Sequence, residues 1–153
     1  MAAPNQHALS RHFTQLLGRE VTFVPSSPLQ RSTAKQIYGV YTVFPSEAAV
    51  VVQSDLPLVG SFAGALVGLP DSAVKEHLRA TPVEELMRDA MYEVLNIASG
   101  AIATEGRTVL NKVVTDPASI DGAAANVLKK PGRKFCFSVT IDEYQGGIFA
   151  IIQ

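Results

Sequence analysis

A single cysteine, Cys136, excludes an intrachain disulfide and fits a reducing cytosol. It stands in the apolar run Phe135-Cys136-Phe137, where a buried inert thiol is expected rather than a nucleophile. His7, His12 and His77 are dispersed, and none has a metal-ligand spacing, so no zinc-type site is indicated. An excess of charge of one sign is also lacking. Thirteen basic and 14 acidic residues leave a net charge of −1, and neither nucleic acid nor an anionic membrane surface finds the basic stripe it would need. The nearest thing to a basic cluster, Lys129, Lys130, Arg133 and Lys134, reads as a solvated loop and strand start. The apolar stretch Leu56 to Leu69 is 14 residues long, too short to cross a bilayer. The opening MAAPNQHALSRHF lacks a basic start followed by an apolar core, so no signal peptide is expected, and the cytoplasm is the expected compartment. No Walker or dinucleotide glycine loop, repeat or low-complexity tract is present.

The chain does have the means to build a core. Of its 153 residues 47% are hydrophobic and 18% charged, the balance of one soluble domain spanning 1–153. Asn5 to Leu17 carries Leu9, Phe13, Leu16 and Leu17 on one side and ends at Gly18, a helix with a glycine stop. Glu20 to Val24 reads as a short strand stopped by Pro25, and Ser26 to Lys35 as a polar loop. Gln36 to Phe44 and Ala48 to Gln53, joined at Pro45-Ser46-Glu47, predict an antiparallel hairpin. Asp55 is placed to cap a helix with Pro57 in its first turn, and Gly60, Gly64 and Gly68 give that helix a smooth face for the sheet or for the helix at Pro82 to Thr104. A short helix is expected over Asp71 to Arg79, a strand over Val109 to Thr115, and one helical turn over Ala123 to Leu128 within a small-residue loop. Lys134 to Ile141 and Ile148 to Ile152 predict a terminal hairpin whose turn takes up Gly146 and Gly147. The class is α+β, a mostly antiparallel sheet with helices packed on one face.

The stretch with the strongest pattern is Pro82 to Thr104, PVEELMRDAMYEVLNIASGAIAT. Thr81 stands at the cap, Pro82 at the first position, and Glu84 and Glu85 in the first turn, where the helix dipole favours negative charge; Gly106 marks an end. At about 100° per residue, Met87, Met91, Val94, Ala98, Ala101 and Ile102 share one face, with Ala90 and Ile97 on its shoulder. Nearly opposite, in a sector roughly 60° wide, lie Asp89, Glu93, Asn96 and Gly100. Most polar stripes of this kind are merely solvated. This one has no Lys or Arg to pair Glu93 at i+4, and its flanks are semi-apolar, with Leu86, Tyr92 and Leu95. It is a surface suited to being covered, and the missing side chain of Gly100 lets a partner come close.

Asp89-x-x-x-Glu93-x-x-Asn96, continuing to Gly100 and followed by Pro117, resembles the signature of the CheC/CheX/FliY phosphatases of bacterial chemotaxis. Twenty residues separate Asn96 from Pro117, a couple fewer than in that pattern. The order of elements is also similar over most of the chain. One copy of the motif, with no Glu in Asn5 to Leu17, fits the single-site CheX type best. The resemblance implies a CheC/CheX-like fold, a homodimer formed through sheet elements, and dephosphorylation of the phospho-aspartate of a CheY-like response regulator. It assigns Asn96 to placing the attacking water and Glu93 to pairing with the receiver's active-site lysine. Asp89, Tyr92 and Gly100 would shape the partner-binding surface. No cofactor of the chain's own is implied, since Mg²⁺ belongs to the receiver.

Chemistry agrees with this assignment. A carboxamide can donate to and accept from one water at once, and a carboxylate can clamp a cation. Those two actions suffice only where the substrate is already activated, as an acyl phosphate is, and where positioning carries the rate. The competing expectation is a non-catalytic module that binds a receiver or a flagellar-switch partner. A small-molecule sensor is weaker still, because no residue marks a pocket for it.

Overall fold

The computed structural model describes residues 3–27, 32–80, 82–103 and 106–153. Its frame is one six-stranded antiparallel sheet built from β1 (Val21–Ser26), β2 (Gln36–Phe44), β3 (Ala48–Asp55), β4 (Arg107–Val114), β5 (Lys134–Ile141) and β6 (Tyr144–Ile152). The strands lie in the order β1-β5-β6-β3-β2-β4, which leaves β1 and β4 as the two edges. The α+β class and the antiparallel sheet are as the sequence predicts.

The first helix, α1 (Gln6–Leu17), starts on the Asn5 side chain, which accepts from the His7 and Ala8 amides, and ends at Gly18 with φ +65°. Strand β1 runs through Pro25 instead of stopping there, because an edge strand has a free side on which the missing N–H costs nothing. In the terminal hairpin the turn is only Asp142-Glu143, and Gly146 and Gly147 lie within β6. A Cβ at Gly146 would stand 2.3 Å from the Val139 carbonyl oxygen, so close strand contact explains that glycine, not the turn.

Helices α2 (Leu56–Val67), α3 (Asp71–Arg79), α4 (Glu85–Ile97) and α5 (Ser99–Ile102) join α1 over one face. Their shared core includes Phe13, Phe23, Phe62 and Phe149, with Phe13 and Phe62 centroids 4.6 Å apart and Phe23 and Phe149 5.5 Å apart. The opposite face is not bare: α6 (Gly122–Lys129), longer than the single turn expected, packs Ala124 and Leu128 with Tyr38, Val40, Val51 and Ile152. Alternation along β2 and β3 sends these residues outward while Tyr41, Val50 and Val52 point inward.

The glycine face of α2 meets chiefly α3, and a Cβ at Gly64 would also stand 3.5 Å from the Tyr144 ring on β6 of the sheet. A Cβ at Gly60 would stand 2.6 Å from Leu78, and one at Gly64 2.2 Å from Val74, both on α3. Asp55 does precede α2, yet its carboxylate makes no cap bond and accepts from Gln36 Nε2 at 2.7 Å and the Ile148 amide at 2.8 Å. It joins β2, β3 and β6 at the root of α2.

Candidate functional site

Helix α4 begins at Glu85, three residues beyond Pro82, with Glu84 at the cap position and its carboxylate 2.9 Å from His77 Nδ1; Thr81 lies outside the described residues. The helical stretch also breaks at Ala98 before resuming as α5. The inner face is as expected at Met87, Ala90, Met91, Val94, Ala98 and Ile102, all buried, while Ala101 is half-buried. Two flank positions trade places. Leu95 is fully buried, whereas Ile97 is 38% exposed. The core surrounds more of the helix on the Leu95 side, and it is this closure that periodicity alone does not give.

Asp89, Tyr92, Glu93, Asn96 and Gly100 are all exposed on the outer side. Among the described residues neither the Glu93 carboxylate nor the Asn96 carboxamide has a partner within the chain. A Cβ at Gly100 would meet nothing within 4 Å, so no internal packing requires that glycine. Leu86, 60% exposed, and Ile97 border the polar stripe on one side, and Tyr92, 42% exposed, borders it on the other. These are three of the five large apolar side chains left exposed among the described residues. The helix thus shows a narrow polar stripe between two apolar margins.

Pro117 opens a 3₁₀ turn, Pro117–Ser119, capped by the Asp116 side chain accepting from the Ala118 amide at 2.9 Å. Lys112 Nζ donates to the Ser119 carbonyl at 2.7 Å and ties the turn back to β4. Between this turn and α4 lies an open cleft of about 620 Å³, with Arg88, Asp89 and Tyr92 on one wall and Thr115, Asp116 and Ser119 on the other. The structure therefore brings the start of the motif and the Pro117 turn to the same depression, with Glu93 and Asn96 farther along the helix.

One residue of this region is not legible in the sequence. Tyr41, fully buried on β2, donates its hydroxyl to the Leu95 carbonyl at 2.7 Å. Burial, with a smaller contribution from Tyr92, raises its pKa far above that of an ordinary phenol, so the group remains a donor. Among the described residues no cluster of three or more His, Cys, Asp or Glu could hold a metal ion, and no helix is long and apolar enough to cross a membrane.

Solved structures share this architecture. The FliM middle domain from H. pylori matches with a TM-score of 0.61 at 12% identity, over 96% of this chain and 83% of that one. The FliM middle domain from V. alginolyticus matches with a TM-score of 0.61 at 12% identity, over 96% and 89%. FliY from Thermotoga maritima matches with a TM-score of 0.52 at 15% identity, over 95% and 81%. The chain has the FliM and FliY fold. At these identities the likeness is one of fold, and it is the fold that the resemblance of the α4 stripe implies. No family model and no curated protein sequence matches the chain.

Proposed function

We propose that this chain is a phosphatase of response-regulator receivers, hydrolysing their phospho-aspartate, with α4 as the element that enters the receiver's pocket. The observation that carries the reading is the pairing of Glu93 and Asn96, both exposed and without a partner among the described residues, on one face of a helix whose other face is locked in the core. Glu93 pairs with the receiver lysine and sets the helix in place. Asn96 holds a water in line with the phosphorus, donating to it and accepting from it. The water oxygen attacks phosphorus, the bond from phosphorus to the aspartate oxygen breaks, and a carboxylate and inorganic phosphate leave, with the water's proton carried away on phosphate. The lysine and Mg²⁺ are the receiver's, so this chain supplies position rather than a nucleophile. Leu86, Ile97 and Tyr92 form the apolar margins that exclude water around the contact.

The test is to mix the protein with phosphorylated receivers and follow phosphate release against the receiver's own decay. Acceleration by catalytic amounts supports the reading, and tight binding without acceleration removes it. That second outcome favours a non-catalytic receiver- or switch-binding module, a reading supported by the higher TM-scores of FliM, which has also been solved with FliG and with SpeE.

Glu93→Lys places two like charges at the proposed contact. It should weaken receiver binding, with a larger loss at low salt than at high salt. Titrations at two ionic strengths check this, and a salt-independent loss would place Glu93 away from the lysine. We also propose a homodimer joined through sheet elements, since β1 and β4 each present a free edge. Light scattering at micromolar concentration should report twice the chain mass, and a monomer mass would exclude the dimer under those conditions.

A further inference from the structure

Leu95 immediately precedes Asn96, and its buried carbonyl lies where the regular helix ends. The Ala98 amide reaches the Val94 carbonyl at 3.0 Å, and the Ala101 amide then bonds the Ala98 carbonyl at 2.9 Å as α5 begins. A buried carbonyl at a helix end needs a donor. Here it is the Tyr41 hydroxyl, 54 positions away in sequence and seated on the central part of β2. The ring has room to reach it because Gly39, two residues earlier on the same strand face, has no side chain. A Cβ at Gly39 would stand 3.1 Å from Tyr41 Cε1 and 3.4 Å from its hydroxyl oxygen.

We propose that Tyr41, seated over Gly39, is a positioning residue for Asn96: by holding the Leu95 carbonyl it fixes the last turn of α4 and so the direction in which the carboxamide points. The effect on rate rests on the phosphatase reading above, while the effect on the helix end rests on geometry alone. Among the described residues Asn96 has no side-chain partner, so its backbone is what aims it. A misplacement of about 1 Å in a positioning group can cost on the order of 10²-fold in rate. A phenol that only stabilised the core would have a different signature: its loss would lower stability and leave turnover untouched.

The experiment compares Tyr41→Phe and Gly39→Ala with Val43→Ala, a truncation at another buried position on the same strand face. Turnover is measured with a phosphorylated receiver, and amide hydrogen exchange at Asn96 to Ser99 is referred to amides of the central strands to remove changes in global stability. In Tyr41→Phe, kcat should fall on the order of tenfold with KM within about twofold, and local exchange should quicken by about tenfold or more. Gly39→Ala, which crowds the phenol, should follow it, and Val43→Ala should change neither quantity. An unchanged kcat in Tyr41→Phe, or local protection equal to that of Val43→Ala, overturns the proposal. If the wild-type protein accelerates the decay of no receiver, the phosphatase reading falls by itself. The exchange comparison then decides alone whether Tyr41 holds the helix end.

Discussion

Asn96→Ala should remove most of the dephosphorylation rate, on the order of 10²-fold for the loss of the group proposed to position the attacking water, while affinity for the phosphorylated receiver changes little. The separation follows from geometry. Asn96 and Glu93 are exposed on one face of a helix whose inner side is held by Met87, Met91, Val94 and Leu95, so removing the carboxamide leaves the Glu93 carboxylate where it was. The carboxamide also has no partner among the described residues, so its loss should shift stability by no more than about 0.5 kcal/mol. Receiver binding and phosphate release measured on the same variant distinguish the outcomes. Full activity in Asn96→Ala would remove the enzyme reading, and parallel losses of binding and rate would make Asn96 an anchor rather than a water holder.

Met91→Asp should destabilise the fold by roughly 3 kcal/mol or more, because it places an unpaired carboxylate at a position 3% exposed in the main core. Two residues along the helix the expectation reverses: Glu93→Ala, on the exposed side, should stay within about 0.5 kcal/mol of the parent protein. Thermal melts of the two variants provide the check. If Glu93→Ala lost stability and Met91→Asp did not, α4 would have to be rotated, and the polar stripe would no longer be the outer face.

Much of this arrangement is legible in the sequence. Local signals are sufficient for α1, whose one-sided apolar face and Gly18 stop both form, and for the β2–β3 hairpin, paired from Gln36 with Asp55 to Val43 with Ala48. They also place Asp89, Glu93 and Asn96 together, since residues three, four and seven apart on a helix share a side whatever surrounds it. The misses have a common cause. Pro25 reads as a stop because its lack of an N–H is visible in sequence, but whether that N–H is needed depends on β1 lying at the sheet edge. Gly146 and Gly147 resemble turn residues, and only the paired β5 shows that they sit within a strand.

Sequence by itself thus determined the α+β class, the amphipathic axis of α4 and the side on which the candidate site stands, because each is set by periodicity within a few residues. Tertiary structure decided how far the core closes around that axis, burying Leu95 and exposing Ile97. It also placed the Pro117 turn across a cleft from Asp89, set the α2 glycines against α3, and brought Tyr41 to the carbonyl before Asn96. These are contacts between segments distant along the chain, and a hydrogen bond across 54 residues leaves no period or spacing by which the sequence could announce it.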